Sequence, residues 1–385
     1  MDNNTAIKEK RMQLGLTQKE FSDALGLGKN GERTLRRWEN GETNPSLIEL
    51  NFIMEFAKSI PYPNPPGEEA AFTFIDLFAG IGGIRLPFTR LGGYCKFTSE
   101  WDKFAQKTYK TNYGDIPEGD ITQIPNDKIP YFDILLAGFP CQPFSAAGLK
   151  KGFSDTRGTL FFEIERIIDG KRPKVFLLEN VKQLKGHDKG NTFKVITEHL
   201  EDLDYDVRST ILRAADFGLP QNRERLFIIG FDKKRLKPDQ TVNFIFPTPP
   251  KTPTRVGNIL ENIVDAKYTI SDKLYAGHLR RKQEHIQKGN GFGFSVVNAD
   301  STYTNTISAR YYKDGSEILV DQGSDINPRK LTPRECARLQ GFPDDFIIPV
   351  SDMQSYKQFG NSVSVPVVQA VANNIITELK RLQWI

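Results

Sequence analysis

FIDLFAGIGGIR, residues Phe74–Arg85, joins two patterns within one short stretch. Its first half is an apolar run of the kind found in a strand buried on both faces. Its second half is a glycine-rich turn that opens into an amphipathic segment. Glycines in that place let a ligand approach the backbone closely, at the edge where α/β sheets bind cofactors. The same turn also serves tight packing alone, so this stretch sets the fold class before it sets a function.

The alternation continues outward. FTFIDLFAG, CKFTSEW, FDILLAGFP, KVFLLENV, YDVRSTILRA and ERLFIIGF read as strands, and GTLFFEIERIIDG and NTFKVITEHLEDL read as helices between them. Apolar strands alternating with amphipathic helices predict an α/β domain with a mainly parallel sheet. The pattern fades near Phe231, and loop-like pieces such as FPTPPKTPTR follow. ARYYKDGSEILV is a hairpin candidate about Asp314-Gly315. After Pro328 the chain reads as helical again, in LTPRECARLQGF and VPVVQAVANNIITELKRLQ.

Upstream, TAIKEKRMQLGL, TQKEFSDALGL and GERTLRRWENG read as short helices. Ile7, Met12, Leu14, Phe21, Leu25 and Leu35 are their expected shared core. SIPYPNPPGEEA cannot continue a helix or a central strand and reads as a linker. The expected organisation is an all-α unit over 1–60, a linker over 61–71, an α/β body over 72–232, a smaller mixed domain over 233–327, and a helical part over 328–385.

The 385 residues suffice for two or three domains, and 52 basic against 48 acidic residues leave a net charge of +4. That balance permits a nucleic-acid partner without requiring one. Three cysteines (Cys95, Cys141, Cys336) without CxxC spacing predict neither disulfides nor a zinc cluster. The four histidines show no metal-binding spacing, so no metal is expected. The first residues carry no apolar signal segment and no run reaches membrane length, so an intracellular, cytoplasmic chain is expected.

Several chemically useful residues fall at strand ends. Glu100 stands about twenty positions beyond the glycines, where an acidic residue binds ribose hydroxyls. Trp101 either lies against an adenine or packs locally. Asp120 and Ile121, in EGDIT, end a candidate third strand and either reach an adenine amino group or form a surface turn. Cys141 sits between Pro140 and Pro143 after the run FDILLAG, as a held nucleophile or as a small buried residue. Glu179 and Asn180 reach the same edge, as a desolvated proton carrier or as a helix cap. Arg223 and Arg225, at strand alternation, point to one face, toward solvent, a salt bridge or an anionic substrate.

DLFAGIGG, GFPCQPFS, ENV, QNRER and QFGNSVSVPV occur in the order and at the spacing of the DNA (cytosine-5)-methyltransferases, and the chain resembles that family from Phe72 to its C-terminus. The resemblance implies the mainly parallel twisted sheet of the S-adenosylmethionine-dependent methyltransferases, with S-adenosylmethionine as donor. It gives Cys141 the role of nucleophile at carbon 6 of cytosine, and Glu179 that of a partner for ring nitrogen 3. Arg223 and Arg225 would orient the base through its carbonyl and support the active site. Phe78, Gly80, Ile81, Gly82, Gly83, Glu100, Trp101, Asp120 and Ile121 would hold the cofactor, completed by Leu160, Asn361 and Ser362.

The family flips its target base out of duplex DNA, the implied partner here. Residues 142–159 resemble its mobile loop, with Gln142, Ser145, Lys150 and Lys151 as DNA contacts. The mixed domain would be the target-recognition domain, with Thr306 and Ile307 near the flipped nucleotide. Arg310, Tyr311, Tyr312 and Lys313 are further contact candidates. The N-terminal unit resembles the helix-turn-helix of phage-repressor-type regulators, with Arg33, Arg36 and Arg37 toward DNA. A monomer is expected at the target site, with dimerisation through the N-terminal helices. A restriction–modification role is expected, with the N-terminal unit tuning transcription of its own operon. The competing readings are a tRNA methyltransferase and an inactive DNA-binding regulator.

Overall fold

A computed structural model describes residues 3–14, 16–28, 30–56, 60–140, 160–289 and 293–385, without the side chains of Gln13, Glu20 and Asp23. Four helices open the chain: α1 (Asn3–Gln13), α2 (Gln18–Ala24), α3 (Gly31–Glu39) and α4 (Leu47–Glu55). Ile7, Phe21, Leu25 and Leu35 enter their core as expected, together with Leu16, Trp38 and Ile53. Met12, expected there, is 62% exposed, and Leu14 packs partly buried against the core. Helix α4 is an addition to the elements expected from the sequence, although its start carries a full capping box. Ser46 Oγ accepts from the Glu49 N–H at 3.2 Å, and Glu49 Oε2 accepts from the Ser46 N–H at 2.7 Å.

The body contains β1 (Phe72–Leu77), α5 (Arg85–Arg90), β2 (Gly93–Ser99), α6 (Lys103–Tyr113) and β3 (Ile134–Gly138). There follow α7 (Leu160–Lys171), β4 (Val175–Val181), α8 (Asn191–Asp202), β5 (Tyr205–Arg213) and β6 (Glu224–Asp232). The strand order is β2-β1-β3-β4-β6-β5. Strands β2, β1, β3 and β4 pair in parallel, and β6 runs antiparallel to both β4 and β5. All six expected strands therefore form, in a mainly parallel sheet. The candidate third strand at EGDIT does not. It is reduced to one bridge between Ser99 and Glu118, after which Asp120 caps a single 3-10 turn over Ile121–Gln123.

Residue alternation sends the two faces of the sheet to different cores. Phe74, Ile134, Leu136, Val175, Leu177, Ile229 and Phe231 face one way, and Ile75, Leu77, Leu135, Ala137, Phe176, Leu178 and Ile228 the other. The second face is covered by Phe161, Ile164 and Ile168 of α7 and by Ile196 and Leu200 of α8. The first is covered by residues from the far end of the chain, Val367, Val368, Val371, Ile375 and Leu379. Each such side chain contributes about 1.5–3 kcal/mol by leaving water.

Between these parts lie α9 (Asp272–Gln287) and two short strands, β7 (Val296–Val297) and β8 (Leu319–Val320), paired in parallel. The hairpin expected about Asp314-Gly315 is absent. Tyr311 is fully buried, donating to Ile318 O at 2.6 Å and accepting from the Leu331 N–H at 2.8 Å. That anchor folds the segment into turns instead of a two-stranded ribbon. The chain ends with α10 (Pro333–Leu339), α11 (Asp352–Asn361) and α12 (Val365–Arg381), which carries the valine-rich face just described. Among the described residues no helix is long and apolar enough to cross a membrane.

Candidate active site and cofactor site

The site forms where β1, β3 and β4 end side by side. After Leu77 the backbone turns sharply: Phe78 has φ +53°, Gly80 φ +54° and Gly82 φ +80°. Positive φ is unusual for phenylalanine and marks a turn held by its surroundings. The Ala79 N–H donates to Ser99 O at 3.0 Å, and Tyr113 donates its hydroxyl to Gly82 O at 2.7 Å. The Tyr113 ring leaves no room for a Cβ at Gly82. Gly83 is equally closed, since a Cβ there would come within 2.7 Å of Ser362 Oγ. Gly80 faces open space.

Glu100 closes one side of this turn, accepting from the Gly80 N–H and from the Asp102 N–H, each at 2.8 Å. Burial pushes its carboxyl above the ordinary range, and those two N–H bonds pull the other way. Trp101, next to it, is 81% exposed, although most large aromatics of the body are buried. The Glu100 N–H donates to Glu118 O at 2.8 Å, which brings the segment with Asp120 and Ile121 beside the same edge. Asp120 is exposed and Ile121 buried. Leu160 is half-buried at the start of α7. Asn361 is exposed, and Ser362 backs onto Gly83.

Beneath the turn, Asp76 is 1% exposed, and its Oδ1 has no hydrogen-bond partner. Burial raises its pKa to about 8, against the pull of Arg85 and of the Tyr109 hydroxyl. Asp76 is not among the residues the sequence singles out, because a carboxylate inside a strand gives no local signal of burial.

The other half of the site is Glu179, in β4 opposite Gly138 of β3 and Phe227 of β6. It is buried, and burial raises its pKa against Arg225 and, more weakly, Arg223. Arg225 Nε approaches Glu179 Oε1 at 3.1 Å. A buried carboxyl with its pKa raised in this way holds its proton more readily than an ordinary carboxylate, which suits a proton carrier. Asn180, also buried, donates Nδ2 to Phe139 O at 2.9 Å, while its Oδ1 accepts from the Val181 N–H at 2.8 Å. The exit of β3 is thereby fixed at Phe139, two residues before Cys141. Cys141 itself lies outside the described residues, as do Gln142, Ser145, Lys150 and Lys151.

Arg223 is built into the scaffold of the site. It lies one residue before strand β6, which starts at Glu224. It is 2% exposed and donates to three backbone carbonyls, Ile307 O at 3.2 Å, Gly360 O at 3.3 Å and Ser362 O. Burial pulls its guanidinium down to about 9, with Arg225 pushing the same way and Glu179 opposing; it stays cationic at neutral pH. Arg223 thus ties the segment at Ile307 to the loop at Gly360–Ser362. Gln221, which sequence reasoning missed, does likewise. Its Nε2 donates to Leu339 O at 3.1 Å, and its Oε1 accepts from the Ile307 N–H at 3.1 Å.

The candidate DNA contacts divide by exposure. Arg310 and Lys313 are exposed, and Thr306 is half-buried, donating to Asn222 O at 2.7 Å. Tyr312 is half-buried, with Lys357 Nζ 5.3 Å from its ring centre. Tyr311 and Ile307 are fully buried and present no side chain to a groove. Away from the cleft, Arg33, Arg36 and Arg37 all project from the exposed side of α3, while Leu35 and Trp38 anchor its inner face. Cys95 and Cys336 are free and buried.

The family model described as C-5 cytosine-specific DNA methylase matches residues 72–377, and a helix-turn-helix model matches residues 7–57. The Type II methyltransferase M.SsoII of Shigella sonnei is 61% identical over 374 residues, covering 97% of each chain. The Type II methyltransferase M1.ScrFI of Lactococcus lactis subsp. cremoris is 60% identical over 376 residues, 97% of this chain and 95% of that one. Among solved structures, the S. pombe Dnmt2 methyltransferase superposes with a TM-score of 0.65 at 21% identity, over 81% of this chain and 99% of that one, a likeness of fold.

Proposed function

The chain belongs to the C-5 cytosine-specific DNA methylase family, as a DNA (cytosine-5) methyltransferase with an N-terminal helix-turn-helix, and we propose that it methylates carbon 5 of a cytosine turned out of a short duplex DNA site, using S-adenosylmethionine. The modification arm of a restriction–modification system is the role proposed for it, supported by its likeness to Type II methyltransferases along nearly its whole length. The observation that carries the chemistry is the placing of buried Glu179, with Arg225 against it, beside the pinned end of β3.

The residues fit the cofactor. Gly80 leaves open space at a left-handed turn, Asp76 Oδ1 is buried without a partner, and Trp101 offers an exposed aromatic face. Glu100 would take the ribose hydroxyls, Trp101 would lie along the adenine, and Phe78, Ile81, Asp120, Ile121, Leu160, Asn361 and Ser362 would complete the walls. When bound, S-adenosylmethionine supplies an electrophilic methyl group.

The remaining work belongs to the chain. Carbon 5 of cytosine is a weak nucleophile. Addition of the Cys141 thiolate to carbon 6 makes the ring electron-rich at carbon 5. Glu179 holds a proton at ring nitrogen 3 as charge develops there, and Arg225 keeps its carboxyl aimed. Loss of the carbon 5 proton then expels the thiolate and restores the ring. The base must leave the helix for these groups to reach it.

A separate observation supports a second activity. Arg33, Arg36 and Arg37 form an exposed basic face on the helix in the recognition position of the N-terminal unit, which is proposed to bind an operator and tune transcription. The test of the main reading uses purified protein with labelled S-adenosylmethionine and either duplex DNA or tRNA. Label in DNA that disappears in Cys141→Ser is the expected result. Label in tRNA alone, or in neither, would overturn it.

A further inference from the structure

We propose that Asn64, in the proline-rich linker ahead of the family domain, is a positioning residue for the cofactor turn; the inference rests on the cofactor reading given above. The starting point is Arg85, the first residue of α5 and the first side chain after the glycine turn to carry a charge. It is fully buried. A guanidinium in that position needs its donors matched, and here the match is incomplete, since Nε has no partner. Nη1 donates to the Tyr109 hydroxyl at 3.0 Å, while Nη2 serves both Asn64 Oδ1 at 3.0 Å and the Asp115 carboxylate at 2.5 Å.

Asn64 does more than meet Arg85. Its Oδ1 also accepts from the Cys95 N–H at 2.9 Å, and its Nδ2 donates to Cys95 O at 3.1 Å and to Asp115 Oδ2 at 3.2 Å. Strand β2 is an edge strand, and its register with β1 shifts between Cys95 and Phe97. One linker side chain thus satisfies the outward backbone groups of Cys95 where the ladder is interrupted. Beyond its last residue, Ser99, the same strand delivers Glu100 to the turn.

From Arg85 the contacts run directly into the site. Its guanidinium lies 4.5 Å from the centre of the Tyr113 ring and 5.1 Å from that of Tyr109. Tyr113 holds the Gly82 carbonyl and occupies the space a Cβ there would need, and Tyr109 donates to Asp76 at 3.3 Å. The linker is itself held in place. The Tyr62 N–H donates to Asn112 O at 2.9 Å, its hydroxyl bonds Asp345, and its ring lies 6.0 Å from Tyr113 and stacks 6.3 Å from Phe346. Removing Asn64 would leave another Arg85 donor and both Cys95 groups unmatched. The guanidinium would then lose its fixed seat against the Tyr113 ring, and the hold of Tyr113 on the Gly82 carbonyl would loosen.

The test is isothermal titration of the full-length protein with S-adenosylhomocysteine, comparing wild type with Asn64→Ala. The expected result is about tenfold weaker binding, equivalent to about 1.4 kcal/mol. KM for the cofactor should rise in parallel, with kcat at saturating cofactor and affinity for duplex DNA unchanged. A general loss of structure would move all of these together. Asn64→Asp keeps the acceptor for Arg85 and for the Cys95 N–H, and it decides the matter if the alanine variant melts below the assay temperature. It too should bind more weakly, because it loses the donor to Cys95 O and faces Asp115. A folded variant that binds like wild type overturns the inference alone. Absence of binding by wild type overturns the cofactor reading, and the inference with it.

Discussion

Replacing Arg223 by methionine separates a structural tie from a contact to the base. The substitution keeps most of the apolar stem and removes donors to Ile307 O, Gly360 O and Ser362 O. Those carbonyls sit around a side chain only 2% exposed, so water cannot readily replace it. A hydrogen bond to a charged group contributes about 1.5–3 kcal/mol net, and loss of a buried charged partner costs about 3–5 kcal/mol in comparable cases. Removing the charge together with its bonds lowers the desolvation burden, which places the expected loss near the bottom of that range, at about 3 kcal/mol. Urea unfolding of the full-length variant measures it. Because Arg223 bridges the segment at Ile307, proposed to face DNA, and the loop at Gly360–Ser362, proposed to face the cofactor, KM should rise for both. A variant as stable as wild type to within about 0.5 kcal/mol, with its defect confined to kcat, would refute this reasoning and return Arg223 to the base.

Three further outcomes follow from the same geometry. Glu179→Gln keeps the side-chain volume but ends proton exchange near ring nitrogen 3; kcat should fall at least about a hundredfold with S-adenosylhomocysteine affinity unchanged, as single-turnover kinetics and titration would report. Asp76 has its pKa raised by burial to about 8 from its ordinary value of 3.8, so between those values the folded chain keeps a proton that the unfolded chain has lost. Stability should therefore fall as pH rises through that window, by about 1.4 kcal/mol per unit, and Asp76→Asn should flatten the dependence. Urea midpoints at pH 5 and pH 8 check this, and identical slopes in the two proteins would contradict it. Arg36→Ala with Arg37→Ala should weaken binding to promoter DNA and reduce the salt dependence by about one unit of slope for each phosphate no longer paired, leaving methylation intact. Gel shifts over a salt series, beside a methylation assay, give both readings.

The parallel body is legible because its central strands are buried on both faces and so appear as unbroken apolar runs ending at chemically distinct residues. Glu100 and Glu179 stand out for that reason, each a carboxylate directly after buried sequence. What stays hidden is set by contacts between distant segments. Helix α4 is the exception, since Ser46 and Glu49 mark its start locally. Tyr311 looks like part of an exposed ribbon, yet Leu331 and Ile318 draw it inward. Arg223 carries no local sign that its donors will meet carbonyls more than eighty residues away. Asn64 reads as linker because its partners, Arg85, Cys95 and Asp115, adjoin it only in the folded chain.

The central claim is cytosine-5 methylation of DNA through Cys141, and it is tested most directly by mass spectrometry of nucleosides. DNA would be taken from a host lacking cytosine methylation that expresses either wild type or Cys141→Ser. Wild type should yield 5-methyl-2′-deoxycytidine and the variant none. Equal amounts of 5-methyl-2′-deoxycytidine from both, or methyl groups found only on an exocyclic nitrogen, would contradict the account.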